Sequence, residues 1–120
     1  MPKLTSLDDL FVHELRDIYD AEGQILVALP KMAEAAINPE LKNAFEEHLK
    51  QTETHVQRLE KVFKRLGVPA RGTTCEGMAG LLEEGRKVMK ADAEPEVLDA
   101  ALIGAAQKVE RYEMASYGGL

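Results

Sequence analysis

Gln107-Lys108-Val109-Glu110-Arg111-Tyr112-Glu113-Met114-Ala115-Ser116-Tyr117 closes the last helical pattern of the chain and holds its least expected residues. At about 100° per residue, with Gln107 as zero, Gln107, Lys108 and Arg111 fall within roughly 0–100°, Glu113 at about 240° and Glu110 at about 300°. The apolar Leu102, Ile103, Ala106 and Val109 share the arc of the two acids. A buried charge is costly unless something pairs it. Either that face is open, or something cationic meets Glu110 and Glu113.

Upstream, three further helical patterns lead to this stretch. Thr5-Ser6-Leu7-Asp8 offers capping residues, and Leu7, Phe11, Ile18, Ile25, Leu29, Met32 and Ala36 recur at helical spacing. This predicts a first helix over about Ser6 to Ala36, kinked or weakened at Pro30, the alternative being two helices split there. Asn38-Pro39 is a cap followed by a first-turn proline, and Leu41, Phe45, His48, Thr52, His55, Leu59, Val62 and Leu66 form a bundle seam at alternating spacings of four and three. A second helix over about Pro39 to Leu66 ends at Gly67-Val68-Pro69. Thr73 or Thr74 is the expected cap of a short, glycine-weakened helix over about Cys75 to Lys90, riding in a crossover. Asp92-Ala93-Glu94-Pro95 then restarts a helix to about Tyr117, ended by Gly118-Gly119. No strand-like alternation and no fixed-period repeat stand out.

The expected class is therefore all-α: an antiparallel bundle of three long helices and a short crossover helix, in one domain over residues 1–120. The last helix has no polar side chain from Ala100 to Ala106. That is too apolar for packing in a three-helix unit alone, so a fourth long bundle helix is expected to be absent from this chain. The exposed seam predicts self-association as a homodimer or higher oligomer.

Composition narrows the function. Of 120 residues, 45% are hydrophobic, only 5% aromatic, and the net charge is −6. An acidic chain without a basic amphipathic face is a poor partner for nucleic acid or for a membrane surface. It tolerates cations. The single cysteine, Cys75, cannot form an internal disulfide; it is expected to be a small buried residue near a helix start, in a reducing, cytoplasmic setting. No apolar run is long enough for a spanning helix, and Met1-Pro2-Lys3-Leu4 lacks the apolar block of a leader.

The same wheel places Glu22, at about 20° from Phe11, in the middle of the apolar arc of the first helix, with Glu14 at its edge. On the second helix His48 and His55 fall inside the arc, at about 300° and 280° from Phe45. Depth separates them. Measured from the turn at Asn38, Glu22 lies about 24 Å along its helix, His55 about 25 Å and His48 only about 15 Å. Glu22 and His55 can face one point, which His48 is not expected to share. Inward carboxylates and an imidazole form a ligand set for iron or manganese. The candidate metal ligands are Glu22, His55, Glu110 and Glu113, around a di-iron or manganese site. The plainer alternative is a hydrogen-bonded core Glu, a satisfied core His and two acids paired with basic neighbours, with no metal. Tyr19, Tyr112 and Tyr117 read as packing residues with tethered hydroxyls.

Leu10-Phe11 with Glu14-Leu15, Asp17, Tyr19, Ala21-Glu22 and Gln24; Leu29-Pro30-Lys31-Met32-Ala33; His48-Leu49; Arg58-Leu59-Glu60; and Ala105 through Gly118 form a set of segments. Together they resemble the YciE/YciF-type bacterial stress-protein family, of the ferritin-like superfamily near the rubrerythrins. The resemblance implies a ferritin-like bundle with a short helix in its long crossover, a di-metal carboxylate site and a stress-linked but poorly defined role. The leading expectation built on it is an iron- or manganese-binding protein that oxidises Fe(II) or handles peroxide. It matches Glu22 to the first-helix ligand, and Glu110 with Glu113 to the Glu-x-x-Glu of the third long helix. Two departures stand out. Thr52, not Glu, precedes His55 by three residues, and Lys50 stands where relatives carry an acid. Relatives also continue into a further long helix. A non-catalytic oligomerisation module that has lost the metal is the rival expectation.

Overall fold

The computed structural model describes residues 3–120, so Met1 and Pro2 of the N-terminal stretch discussed above lie outside the described residues. Among these residues four helices follow one another: α1 (Leu7–Ala35), α2 (Pro39–Leu66), α3 (Glu76–Met89) and α4 (Pro95–Gly118). There is no strand among the described residues. The three long helices and one short helix form an elongated antiparallel bundle of 51 × 25 × 20 Å. Among the described residues, no helix is long and apolar enough to cross a membrane.

The helix ends follow from local chemistry. Ser6 Oγ accepts the Asp9 amide at 3.1 Å, while Asp9 Oδ2 takes the Thr5 amide at 3.0 Å and the Thr5 hydroxyl at 2.7 Å. Donors that α1 leaves unpaired at its start are met in this way. Pro30 sits inside α1, which runs on as one helix to Ala35, so the split into two helices does not occur. At the next turn Asn38 Oδ1 accepts the Glu40 amide at 2.8 Å, ahead of Pro39. The same turn is clasped from α4. Asp99 accepts the Ile37 and Asn38 amides, each at 2.8 Å, one on each carboxylate oxygen. Gly67 ends α2 at φ 71°, a left-handed conformation suited to glycine.

Residues 68–74 run back along α1. A Cβ on Gly72 would stand 2.8 Å from Asp20 Cβ and 3.1 Å from Asp20 Cα, so the close approach requires glycine. The Thr73 amide donates to the Arg16 carbonyl at 3.3 Å. The cap of α3 is Cys75, not Thr73 or Thr74: its Sγ accepts the Met78 amide at 3.4 Å, and its own amide donates to Asp20 Oδ2 at 2.7 Å. That carboxylate, reaching across from α1, fixes which residue starts the helix.

The core is built around α1. Leu15, Ile18, Ala21, Ile25, Leu29 and Met32 are buried against Phe45, Leu59 and Phe63 of α2, Met78 of α3, and Leu102 and Val109 of α4. Each large apolar side chain removed from water contributes about 1.5–3 kcal/mol. α1 pairs closely with α2, α3 with α4, and α1 also touches α3 and α4. Cys75 is fully buried within this core.

Candidate metal centre

Glu22 projects from the middle of the buried face of α1, between Ala21 and Ile25, and is 0% exposed. The helical period dictates this: a residue four after Ile18 and three before Ile25 shares their face. From α2, His55 brings Nδ1 to 2.9 Å from Glu22 Oε2. From α4, Glu113 is buried at 6% exposure and brings Oε2 to 4.0 Å from the same nitrogen. One ligand atom from each of Glu22, His55 and Glu113 lies within 4.8 Å of the other two.

Two further side chains hold these three. The Tyr117 hydroxyl donates to Glu22 Oε2 at 3.2 Å, and its ring meets the His55 ring edge-on at 5.8 Å. His48 Nε2 lies 3.3 Å from Glu113 Oε1. The two oxygens of Glu113 are thus divided, Oε1 toward His48 and Oε2 toward His55. His48, expected from its depth not to share the point faced by Glu22 and His55, lies outside the three-residue cluster but touches Glu113. A glutamate side chain and an imidazole on facing helices together span the offset that backbone level alone suggests.

Of the four candidate ligands, the structure brings Glu22, His55 and Glu113 together and leaves Glu110 outside. The Glu110 side chain is 57% exposed, and its nearest recorded basic partner is His48 Nδ1 at 3.9 Å. Glu110 stands on the rim of a cleft of about 500 Å³ between α2 and α4, whose walls also include Glu47, Gln51 and Met114. Sequence position put it on the apolar arc of α4, but that arc is only partly covered: Ile103 is 44% and Met114 69% exposed. Thr52, in the place of a helix 2 acid, is fully buried and spends its hydroxyl on the His48 carbonyl at 2.8 Å.

The electrostatics of the three residues are unbalanced. Burial pushes the Glu22 carboxyl up to about 9, and the neighbouring Glu113 carboxylate adds to this. Burial acts the same way on Glu113, but the contacts with His48, Glu22 and His55 outweigh it and hold its carboxyl below the usual range. Contact with Glu113 raises His48 against the opposing effect of burial. One acid is held neutral and the other charged, the usual outcome when two carboxylates share a low-dielectric site. Glu22 Oε2 has Tyr117 and His55 as partners, while Glu22 Oε1 is buried with no hydrogen-bond partner among the described residues. A buried oxygen in that position is accounted for by a proton on the group or by a cation beside it. The donor set of one imidazole and two carboxylates fits iron or manganese.

Comparisons with known proteins identify the family and the fold. The family profile described as "Domain of unknown function (DUF892)" matches residues 6–120. Protein YciF of Escherichia coli strain K12 is 42% identical over 118 residues, covering 98% of this chain and 71% of the relative. Among solved structures, YcfI of Rhodopseudomonas palustris, described as a candidate structural protein, superposes with a TM-score of 0.95 at 44% identity, over 98% of this chain and 74% of its own. The crystal structure of the E. coli stress protein YciF gives a TM-score of 0.92 at 42% identity, over 97% and 74% respectively.

Proposed function

This chain belongs to the DUF892 family, and from that premise we propose that it is a stress-protein relative that binds iron or manganese through Glu22, His55 and Glu113. The observation that carries the reading is Glu22 Oε1, buried without a partner beside an imidazole nitrogen and a second carboxylate. In this reading a cation takes the place of the proton on Glu22. Tyr117 keeps Glu22 Oε2 oriented, and His48 engages Glu113 Oε1 so that Oε2 stays turned toward the cluster. Such outer partners orient ligands and tune their basicity. Glu110, on the cleft rim, completes the proposed set from the solvent side. A bound iron or manganese ion supplies redox chemistry, with oxidation of Fe(II) or reaction with peroxide as the proposed activity.

Self-association belongs to the same reading. Ile103 and Met114 leave apolar surface exposed along α4, which a second copy would cover. The test is reconstitution with Fe(II) or Mn(II), removal of unbound ion and elemental analysis, with light scattering on the same sample. Wild type should retain metal, and the Glu22→Ala/Glu113→Ala variant should lose it; equal retention by both would overturn the ligand assignment.

A second reading is a helical assembly module without metal. YcfI's description as a candidate structural protein favours it, and so does the ease with which one proton closes the Glu22–His55 contact. Protein that associates normally yet retains no ion after reconstitution would establish it.

A further inference from the structure

A second cavity, of about 430 Å³, lies where the N-terminal part of α1 meets the connection after α2. Its character is opposite to that of the acidic centre. Lys3, His13 and Arg16 contribute to its wall, together with Thr73. None of the three basic residues has an ion-pair partner among the described residues, although the chain carries a net charge of −6. Arg16 Nε is buried with no hydrogen-bond acceptor, a loss that folding tolerates poorly. The one acid in the wall, Asp9, already receives both Thr5 donors, which hold its carboxyl below the usual range. The amide of Thr73 is bound to the Arg16 carbonyl, so the threonine and arginine are held beside each other. The remaining wall is apolar, formed by Leu4, Val12 and Val68.

We propose that this cavity is a binding site for a phosphomonoester, the phosphate engaged by Arg16, Lys3 and the Thr73 hydroxyl and the organic group resting on Leu4, Val12 and Val68. Guanidinium supplies a planar set of donors matched to phosphate oxygens, and Arg16 lines this cavity with no ion-pair partner among the described residues. The apolar walls explain why an ester fits better than the bare ion. Arg16 is six residues before Glu22 on α1, about 9 Å along the helix and on a different side of it, so the site is independent of the metal centre.

The test is a heteronuclear NMR titration of chelator-treated full chain with phenyl phosphate, inorganic phosphate and phenol. Phenyl phosphate should shift the amide signals of Val12, His13, Arg16, Val68 and Thr73. Inorganic phosphate should shift the same signals more weakly, and phenol should leave them in place. Arg16→Gln should weaken phenyl phosphate binding by about tenfold or more, with the helical spectrum intact. Lys3→Gln, on the exposed side, gives a second variant that does not threaten folding and should weaken binding less. Glu22→Gln should bind as wild type does. The proposal is overturned if phenol shifts the same signals as strongly, if phenyl phosphate shifts none of them, or if neither Arg16→Gln nor Lys3→Gln changes its affinity.

Discussion

His55 Nδ1 stands 2.9 Å from Glu22 Oε2, although 33 positions of sequence separate them. They meet because α1 and α2 are antiparallel about the turn at Asn38, and the two residues lie at nearly the same depth from it. With Tyr117 on the same oxygen, the contact leaves Glu22 as a buried acid whose protonation is set by its surroundings.

Metal-free protein should lose stability as pH rises through the range that Glu22 defines. Burial and the nearby Glu113 keep Glu22 protonated up to about 9 in the fold, against an ordinary value of 4.5 in the unfolded chain. Between these values the folded state holds a proton that the unfolded state has released. The contribution is therefore complete below the lower value and declines as pH climbs toward the upper one. One proton sets a ceiling of about 1.4 kcal/mol per pH unit. Urea unfolding of chelated protein at several pH values should show this decline, and Glu22→Gln should flatten it. An identical slope in the variant would sink the assignment.

Metal affinity should move the other way. A cation must displace the Glu22 proton, so binding releases a proton and strengthens as pH rises toward the same upper value. Calorimetry in buffers of different ionisation enthalpy reads the release directly. No release on Mn(II) binding would place the ion elsewhere.

His48→Ala should destabilise the protein by about 1–3 kcal/mol, because it strips Glu113 of a charged partner in a half-buried setting. The cost depends on pH. Glu113 raises His48 above its ordinary 6.5, so the imidazolium's contribution is full below 6.5 and is lost as pH rises through the folded value. Wild type and variant should differ most in mildly acidic solution and converge at alkaline pH. A pH-independent difference would mean that only packing was lost.

Two glycines should respond oppositely to alanine. At Gly77 a new Cβ would lie 2.7 Å from Tyr112 Cε2 and 3.0 Å from its hydroxyl. Tyr112 would have to move, breaking its contacts with Asp17 and Cys75. Gly77→Ala should cost about 1–3 kcal/mol. Gly23, within α1, has no neighbour within 4 Å of a built Cβ, and Gly23→Ala should gain about 0.5–1 kcal/mol. Thermal unfolding of the two variants side by side checks both signs.

Cys75 should resist thiol reagents in the native state. It is 0% exposed, and burial pushes its thiol above the usual range, which lowers the reactive thiolate population. Aromatic disulfide reagents should label it at the rate of unfolding and immediately in urea. Rapid labelling of folded protein would show that the Asp20–Cys75 anchor opens readily.

The helix limits could be read from the sequence because each rests on neighbouring residues: Ser6, Asn38-Pro39, Gly67 and Pro95. Glu22 and Glu113 were recognisable for a different reason, as acids that break an apolar arc. The missed features depend on partners distant in sequence. Cys75 caps α3 because Asp20 of α1 holds its amide. His48 joins Glu113 because two side chains bridge an offset that a count of helical rise leaves open. Glu110 lies on the cleft rim and not in the cluster because an apolar arc is not always a covered one, and on α4 Ile103 and Met114 are exposed.

The division of the chain into α1 with α2 and α3 with α4 gives the centre a mechanical meaning. Glu22, His55 and His48 belong to the first hairpin, while Glu113 and Tyr117 belong to the second. At the far end of the bundle Asp99 of α4 grips the α1–α2 turn. The two hairpins are joined at both ends of the bundle, and between them by the Asp20–Cys75 and Asp17–Tyr112 hydrogen bonds, but only at the centre does the joint depend on protonation or a bound cation. A change in the state of Glu22 therefore acts on a joint between two hairpins, not on the inside of one.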